Sequence, residues 1–349
     1  MTGGIEILLI AALGALGLLL TLAYVAEREE ALKWFVYFIV GMVDLAMIPL
    51  GVLMSLTPRL AGLDATTGAS VSEALDASGL SGDAGLVLMG DMGWVLIAMG
   101  VAGLVLLLPP VRRLIALALP IDPDRVVHAV ALQYVVLLIG VSAMNGLTME
   151  MLVGDEESLD QLSSMASETG LATLWAQSFG FALLALLGVG IIVQRDVKET
   201  LSRLGLTRGF SVKWWIAATG LALISSYAID SLWAWLSSED LAQVERLSEA
   251  LFEPYLSAGL LGALTIGVSA GIGEEILFRG AAQPRLGLIF TSLLFGVLHT
   301  QYTVSLALVQ VFIVGLLLGL CRQRTSTTTA IGVHATYNFV LASFAIYGG

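Results

Sequence analysis

Apolar runs of about 20 residues recur along the whole chain, separated by shorter stretches that carry nearly all of its charge. A run of that length crosses the hydrocarbon of a bilayer as an α-helix, whereas a membrane β-barrel would show short alternating segments. There are ten candidate spans, near residues 5–25, 32–55, 86–108, 126–144, 171–193, 214–236, 255–276, 288–300, 303–321 and 327–346. The first has no basic stretch ahead of it and no small-residue cleavage site, so it reads as a retained helix and not a signal peptide. The eighth is short and joins the ninth tightly, which makes it the weakest of the ten. The pattern predicts an all-α fold: a polytopic transmembrane helical bundle of about ten spans, multi-pass in the cell membrane.

Composition agrees with the pattern. The 349 residues are 57% hydrophobic, with a mean hydropathy of +0.91, far above a soluble domain. The single cysteine, Cys321, excludes an intrachain disulfide and sits at the end of an apolar run, where it reads as packing. No basic patch supports nucleic-acid binding.

Charge is unevenly placed. Alternate loops hold Arg28 and Lys33; Arg112, Arg113 and Arg125; Arg195, Lys198, Arg203, Arg208 and Lys213; Arg279 and Arg285; and Arg322 and Arg324, which is 14 of the 16 basic residues. The opposite loops hold only Arg59 and Arg246 among acids such as Asp64, Asp76, Asp83, Asp155, Glu156, Glu157, Asp160, Glu239, Asp240 and Glu245. Lysine and arginine favour the cytoplasmic side, so both termini are expected outside. The acidic loops fit either a surface solvated in high salt, as in halophiles, or ordinary solvated loops.

The basic stretch 194–213 divides the chain into an N-terminal five-span region of unknown role (1–193), a cytoplasmic loop, and a C-terminal five-span region (214–349). Arg195, Lys198, Arg203 and Arg208 read first as a topology anchor and second as contacts to anionic lipid headgroups. Asp44, Asp91, His128 and Asp230 lie in or beside spans and read as structural hydrogen-bonding groups before they read as a proton path.

The sequence Gly271-Ile-Gly-Glu-Glu-Ile-Leu-Phe-Arg279 places two carboxylates and a guanidinium in apolar, glycine-rich surroundings. On a helix Glu275 and Arg279, spaced i,i+4, share a face, while Glu274 points about 100° away and is left without that arginine. Phe295 precedes His299 by four residues, and His334 precedes Asn338 by four. An acid, two imidazoles and an amide converging within a bilayer suit chemistry on a water and a carbonyl.

The three patterns Glu274-Glu275-x-x-x-Arg279, Phe295-x-x-x-His299 and His334-x-x-x-Asn338, in this order on three predicted helices, resemble the signature of the CPBP family. These are the CAAX-protease and bacteriocin-processing intramembrane endopeptidases, similar to the type II CAAX prenyl endopeptidases. The resemblance covers about residues 255–346 and extends weakly to Leu201-Ser-Arg-Leu-Gly-Leu-Thr-Arg208. It implies a glutamic endopeptidase cutting near the cytoplasmic face. Glu274 would be the general base, His299 would hold the water, and His334 and Asn338 would stabilise the oxyanion. Glu275 and Arg279 would brace the site, with Phe295 packing beside it. It implies a membrane protein or lipidated peptide as substrate, a lipid bilayer as surroundings, and no cofactor.

Two alternatives stay open. Glu274, His299 and His334 match a catalytic zinc ligand set by residue type, although no HExxH pattern is present. A non-proteolytic membrane protein, either a proton-coupled transporter or an immunity or scaffold protein, is the other. A transporter predicts paired half-repeats with broken helices, and the two halves show no convincing similarity.

Overall fold

The computed structural model describes residues 3–61, 82–153, 159, 162–164, 170–302 and 305–348. Of the acids assigned to the outer loops, Asp64, Asp76, Asp155, Glu156, Glu157 and Asp160 lie outside the described residues. Those described are helical apart from turns and one isolated β-bridge between Ile191 and Arg195.

The N-terminal half contributes α1 (Gly3–Ala26), α2 (Glu30–Ala61), α3 (Gly82–Leu106), the short α4 (Pro109–Ile115), α5 (Val126–Val153) and α6 (Leu171–Gly188). A surface helix, α7 (Val197–Leu204), then leads to α8 (Val212–Leu236), α9 (Ser238–Leu256) and α10 (Leu260–Glu275). α10 continues as a π-helix over Ile276–Ala282 and a last turn, α11 (Gln283–Leu286). α12 (Leu288–Val297), a 3-10 turn at Thr300–Tyr302, α13 (Leu306–Arg324) and α14 (Thr327–Tyr347) complete the chain.

Among the described residues nine helices are long and apolar enough to cross a membrane: α1, α2, α3, α5, α6, α8, α10 with its continuation, α13 and α14. The protein is therefore a multi-pass helical membrane protein. The eighth expected span is the exception. α12 has only ten residues, a rise of about 15 Å, so it reaches roughly mid-depth. It ends where the His299 amide bonds to the Gly296 carbonyl, a tightened last turn, and Tyr302 then bonds back to His299.

The ends that carry the basic residues meet on one face of the bundle. Arg28 donates to the Val193 carbonyl, Arg125 pairs with Glu27, Arg203 reaches Gly280, and Arg322 reaches the Arg203 carbonyl. The alternation of charge along the sequence is thus a real two-sidedness of the molecule.

α9 falls within a stretch the apolar pattern treats as an acidic loop. Its start is nevertheless encoded: the Ser237 side chain accepts from the Asp240 amide as an N-cap, and Val244 and Leu247 bury one face.

Close helix approach rests on small residues. A Cβ on Gly267 would stand 2.5 Å from the Ala335 carbonyl oxygen of α14, and one on Gly273 would stand 2.6 Å from the Ser178 Cα of α6. Gly271 likewise faces Ala335, and Gly280 faces Leu204 of α7. Packing of this kind, with little hydrophobic driving force available in lipid, is what holds α10 between α6 and α14.

Candidate active site

A cavity of about 460 Å³ lies among α6, α9, α10, α12 and α14, and Glu274, Phe295, His299, His334 and Asn338 all line it. Separate stretches of sequence therefore deliver their polar groups to one chamber. Glu274 lies twelve residues before the end of α11 and His299 eleven residues after the start of α12, so the two reach a similar depth from the same side.

Glu275 and Arg279 stand behind that wall, nearly without exposure. Arg279 Nη1 lies 3.1 Å from Glu275 Oε1, an ion pair and not a well-aligned hydrogen bond, while Arg279 Nη2 donates to the Gly315 carbonyl at 3.2 Å. The same carboxylate oxygen lies 3.0 Å from His334 Nδ1, a contact that spacing along the chain offers no means of seeing across 59 positions. The guanidinium also sits 4.2 Å over the Phe295 ring, and that ring packs 4.6 Å from His299 and 6.0 Å from His334. Phe295 is thus a wall shared by three charged or chargeable groups.

The π-helix puts Phe278, Arg279 and Gly280 on the buried side in succession. Its looser turn leaves carbonyls to be satisfied from outside, and Arg203 of α7 donates to those of Gly280 at 2.8 Å and Ala281 at 3.3 Å. The basic segment ahead of the core thereby caps the helix that bears the carboxylates.

The imidazoles have assigned partners on one nitrogen each. His299 Nδ1 lies 2.7 Å from the Phe295 carbonyl, an acceptor only, so Nδ1 carries a proton and neutral His299 presents a bare Nε2. His334 Nδ1 faces the Glu275 carboxylate, so its Nε2 is an acceptor when the ring is neutral and a donor only when the ring is an imidazolium. Glu274 contrasts with its neighbour: its Oε2 is buried and has no hydrogen-bond partner among the described residues.

Glu274, His299 and His334 share the cavity without forming a ligand set: among the described residues no three His, Cys, Asp or Glu side chains are grouped to hold a metal ion.

The chamber's lining extends away from the basic face, through Leu174 and Gln177 early in α6, Glu249 and Phe252 of α9, and Ala345 late in α14.

Several lining residues carry no sequence signature. Ser178 and Gln177 come from α6, so a wall of the site belongs to the N-terminal half. Tyr337 lines the cavity and shares a 2.7 Å hydrogen bond with Ser226, itself linked to Gln310. Its place three residues after His334, on the same helical face, is the available clue. Asp44 packs in the N-terminal half against Gly103, Asp91 is exposed, and His128 accepts from the Asp122 amide. None of these lines the chamber, nor does Asp230.

Comparison with known proteins finds a match over the stretch that contains these residues. Residues 256–340 match the Rce1-like family, described as type II CAAX prenyl endopeptidase Rce1-like. These residues, about a quarter of the chain, are similar to the CAAX-type membrane proteases. The chain is also similar to an Escherichia coli protein described as an uncharacterized 24.3 kDa protein, 29% identical over 158 residues that cover 42% of this chain and 70% of that one. No solved structure matches.

Proposed function

We propose that this protein is an intramembrane endopeptidase that hydrolyses a peptide bond with water activated by Glu274. The observation that carries the proposal is the contrast between the two adjacent glutamates: Glu275 is committed to Arg279 and His334, while Glu274 Oε2 is buried, unpartnered among the described residues and beside two imidazoles. A carboxylate left without a partner at the wall of a cavity is placed to take a proton from a water held there.

Glu274 takes a proton from a water held by the bare Nε2 of His299, and the oxygen attacks the scissile carbonyl carbon. The resulting oxyanion accepts from the Asn338 amide and from Nε2–H of His334, whose ring Glu275 orients through Nδ1. Each such donor contributes about 2.7–4 kcal/mol in measured cases. Collapse breaks the C–N bond, and Glu274 returns its proton to the leaving amine. The substrate class in keeping with the family is a peptide with a prenylated C-terminus, which reaches the chamber from the end away from the basic loops. By the positive-inside rule that end, like both termini, is extracytoplasmic, and the membrane is the cell membrane.

The test is cleavage of a reconstituted peptide. Glu274→Gln keeps the shape and removes the base, so turnover should fall by at least about 10²–10⁴-fold. Activity should survive strong zinc chelators. Loss with chelator and recovery on adding Zn²⁺ would replace the carboxylate mechanism with a metal one, and full activity in Glu274→Gln would end the proteolytic assignment of this residue.

A further inference from the structure

A second cavity, of about 170 Å³, lies near the basic face among α1, α5, α6 and the π-helix. It is separate from the active-site chamber, and only Phe181 lines both. Its walls are aliphatic, with Leu13, Leu16 and Leu20 from α1, Leu132 and Leu138 from α5, and Leu184 from α6. Arg125, Arg195, Arg203 and Arg285 also line it.

The charges there do not cancel. Arg125 is neutralised by Glu27 at 2.6 Å. Arg195 and Arg203 spend their donors on backbone carbonyls, of Val189 and of Gly280 and Ala281 respectively. Arg285 has no hydrogen bond or ion pair among the described residues. The Arg203 guanidinium is held down to about 10, first by burial and then by the positive fields of Arg285 and Arg195. Three guanidinium groups without a carboxylate partner among the described residues thus line a hollow whose remaining walls are mostly apolar, with Tyr24, Tyr134 and His128 among them.

From this geometry we infer that the second cavity binds an anionic membrane phospholipid, with its phosphate on Arg195, Arg203 and Arg285 and the start of one acyl chain among the leucines. A free hydrated anion would leave the leucine-lined part empty, and a neutral lipid would leave the guanidinium charges uncompensated. The dimensions suit a chain segment: an aliphatic cavity of about 150 Å³ is known to take up benzene. The position suits it too, because the basic side of a membrane protein faces the leaflet richest in anionic lipid. Leu277 and Phe278 of the π-helix form part of the same wall, so a bound lipid would rest against the segment that carries Arg279.

The experiment is a thermal-stability titration of the full chain in neutral detergent. It uses phosphatidylglycerol, phosphatidylcholine with the same acyl chains, and inorganic phosphate. Phosphatidylglycerol should raise the melting temperature at a concentration at least about fivefold lower than phosphatidylcholine, since one basic side chain contributes roughly that factor. Inorganic phosphate should give no comparable shift. Arg285→Gln should weaken the phosphatidylglycerol response about fivefold, while Arg324→Gln, which removes an exposed charge elsewhere on the same face, should leave it unchanged. Equal responses to the two phospholipids, a phosphate shift matching that of phosphatidylglycerol, or equal losses in the two variants would each overturn the site. If Arg285→Gln fails to fold, the three ligands on the native chain decide the matter alone.

Discussion

Glu274 and Glu275 are chemically identical neighbours whose surroundings assign them opposite tasks. One helical step separates a carboxylate facing a cavity from one closed in by a guanidinium and an imidazole. Breaking a buried pair from one side leaves a charge with no compensation, at about 3–5 kcal/mol. Arg279→Ala should therefore lower thermal stability by that order, and Glu275→Gln, which strands the buried Arg279 in turn, should lower it comparably and also reduce turnover by loosening the His334 ring. Melting curves set beside kcat for the two variants check this, and an Arg279→Ala protein of native stability would refute the pairing as a structural element. The Glu275–Arg279 pair was legible from i,i+4 spacing alone. The Glu275–His334 contact was not, because it depends on how α10 and α14 are rotated against each other, and sequence spacing within one helix carries no information on that rotation.

Elements were legible where hydropathy alone determines them. The long apolar runs become the crossing helices nearly in full, and the short run at 288–300 becomes α12, whereas α9 was hidden by its charge. The contribution of α6 was hidden differently, since Gln177 and Ser178 have ordinary identities and acquire their place only through the packing of α6 on α10. That packing admits a sharp test at Gly273. An alanine there must displace either Ser178 or α10, because its Cβ would come 2.6 Å from backbone. Overpacking of this kind costs typically 1–3 kcal/mol. Gly273→Ala should thus shift Glu274 relative to His299 and lower kcat, while leaving the protein in the membrane with a melting temperature only a few degrees below native.

At the scale of the molecule, the two faces differ in charge and in access. Cys321 is fully buried, so single cysteines introduced elsewhere can be labelled without a competing thiol. Glu249→Cys, on exposed α9, should react with a membrane-impermeant maleimide in intact cells, and Lys198→Cys, on exposed α7, only after permeabilisation. The reverse pattern would invert the orientation drawn from the basic loops. Which side is basic was readable residue by residue from the sequence. Where the chamber's lining leads was not, because that depends on walls drawn from helices far apart in the chain.

That lining has a kinetic meaning for the proposed reaction. It leads away from the basic end, through Leu174 and Gln177 of α6, Phe252 of α9 and Ala345 of α14. Fragments that retreat along the route by which the intact substrate arrived, one of them still anchored in lipid, leave slowly. Turnover in such a vessel is governed by emptying as much as by cutting, and the protein is its own queue.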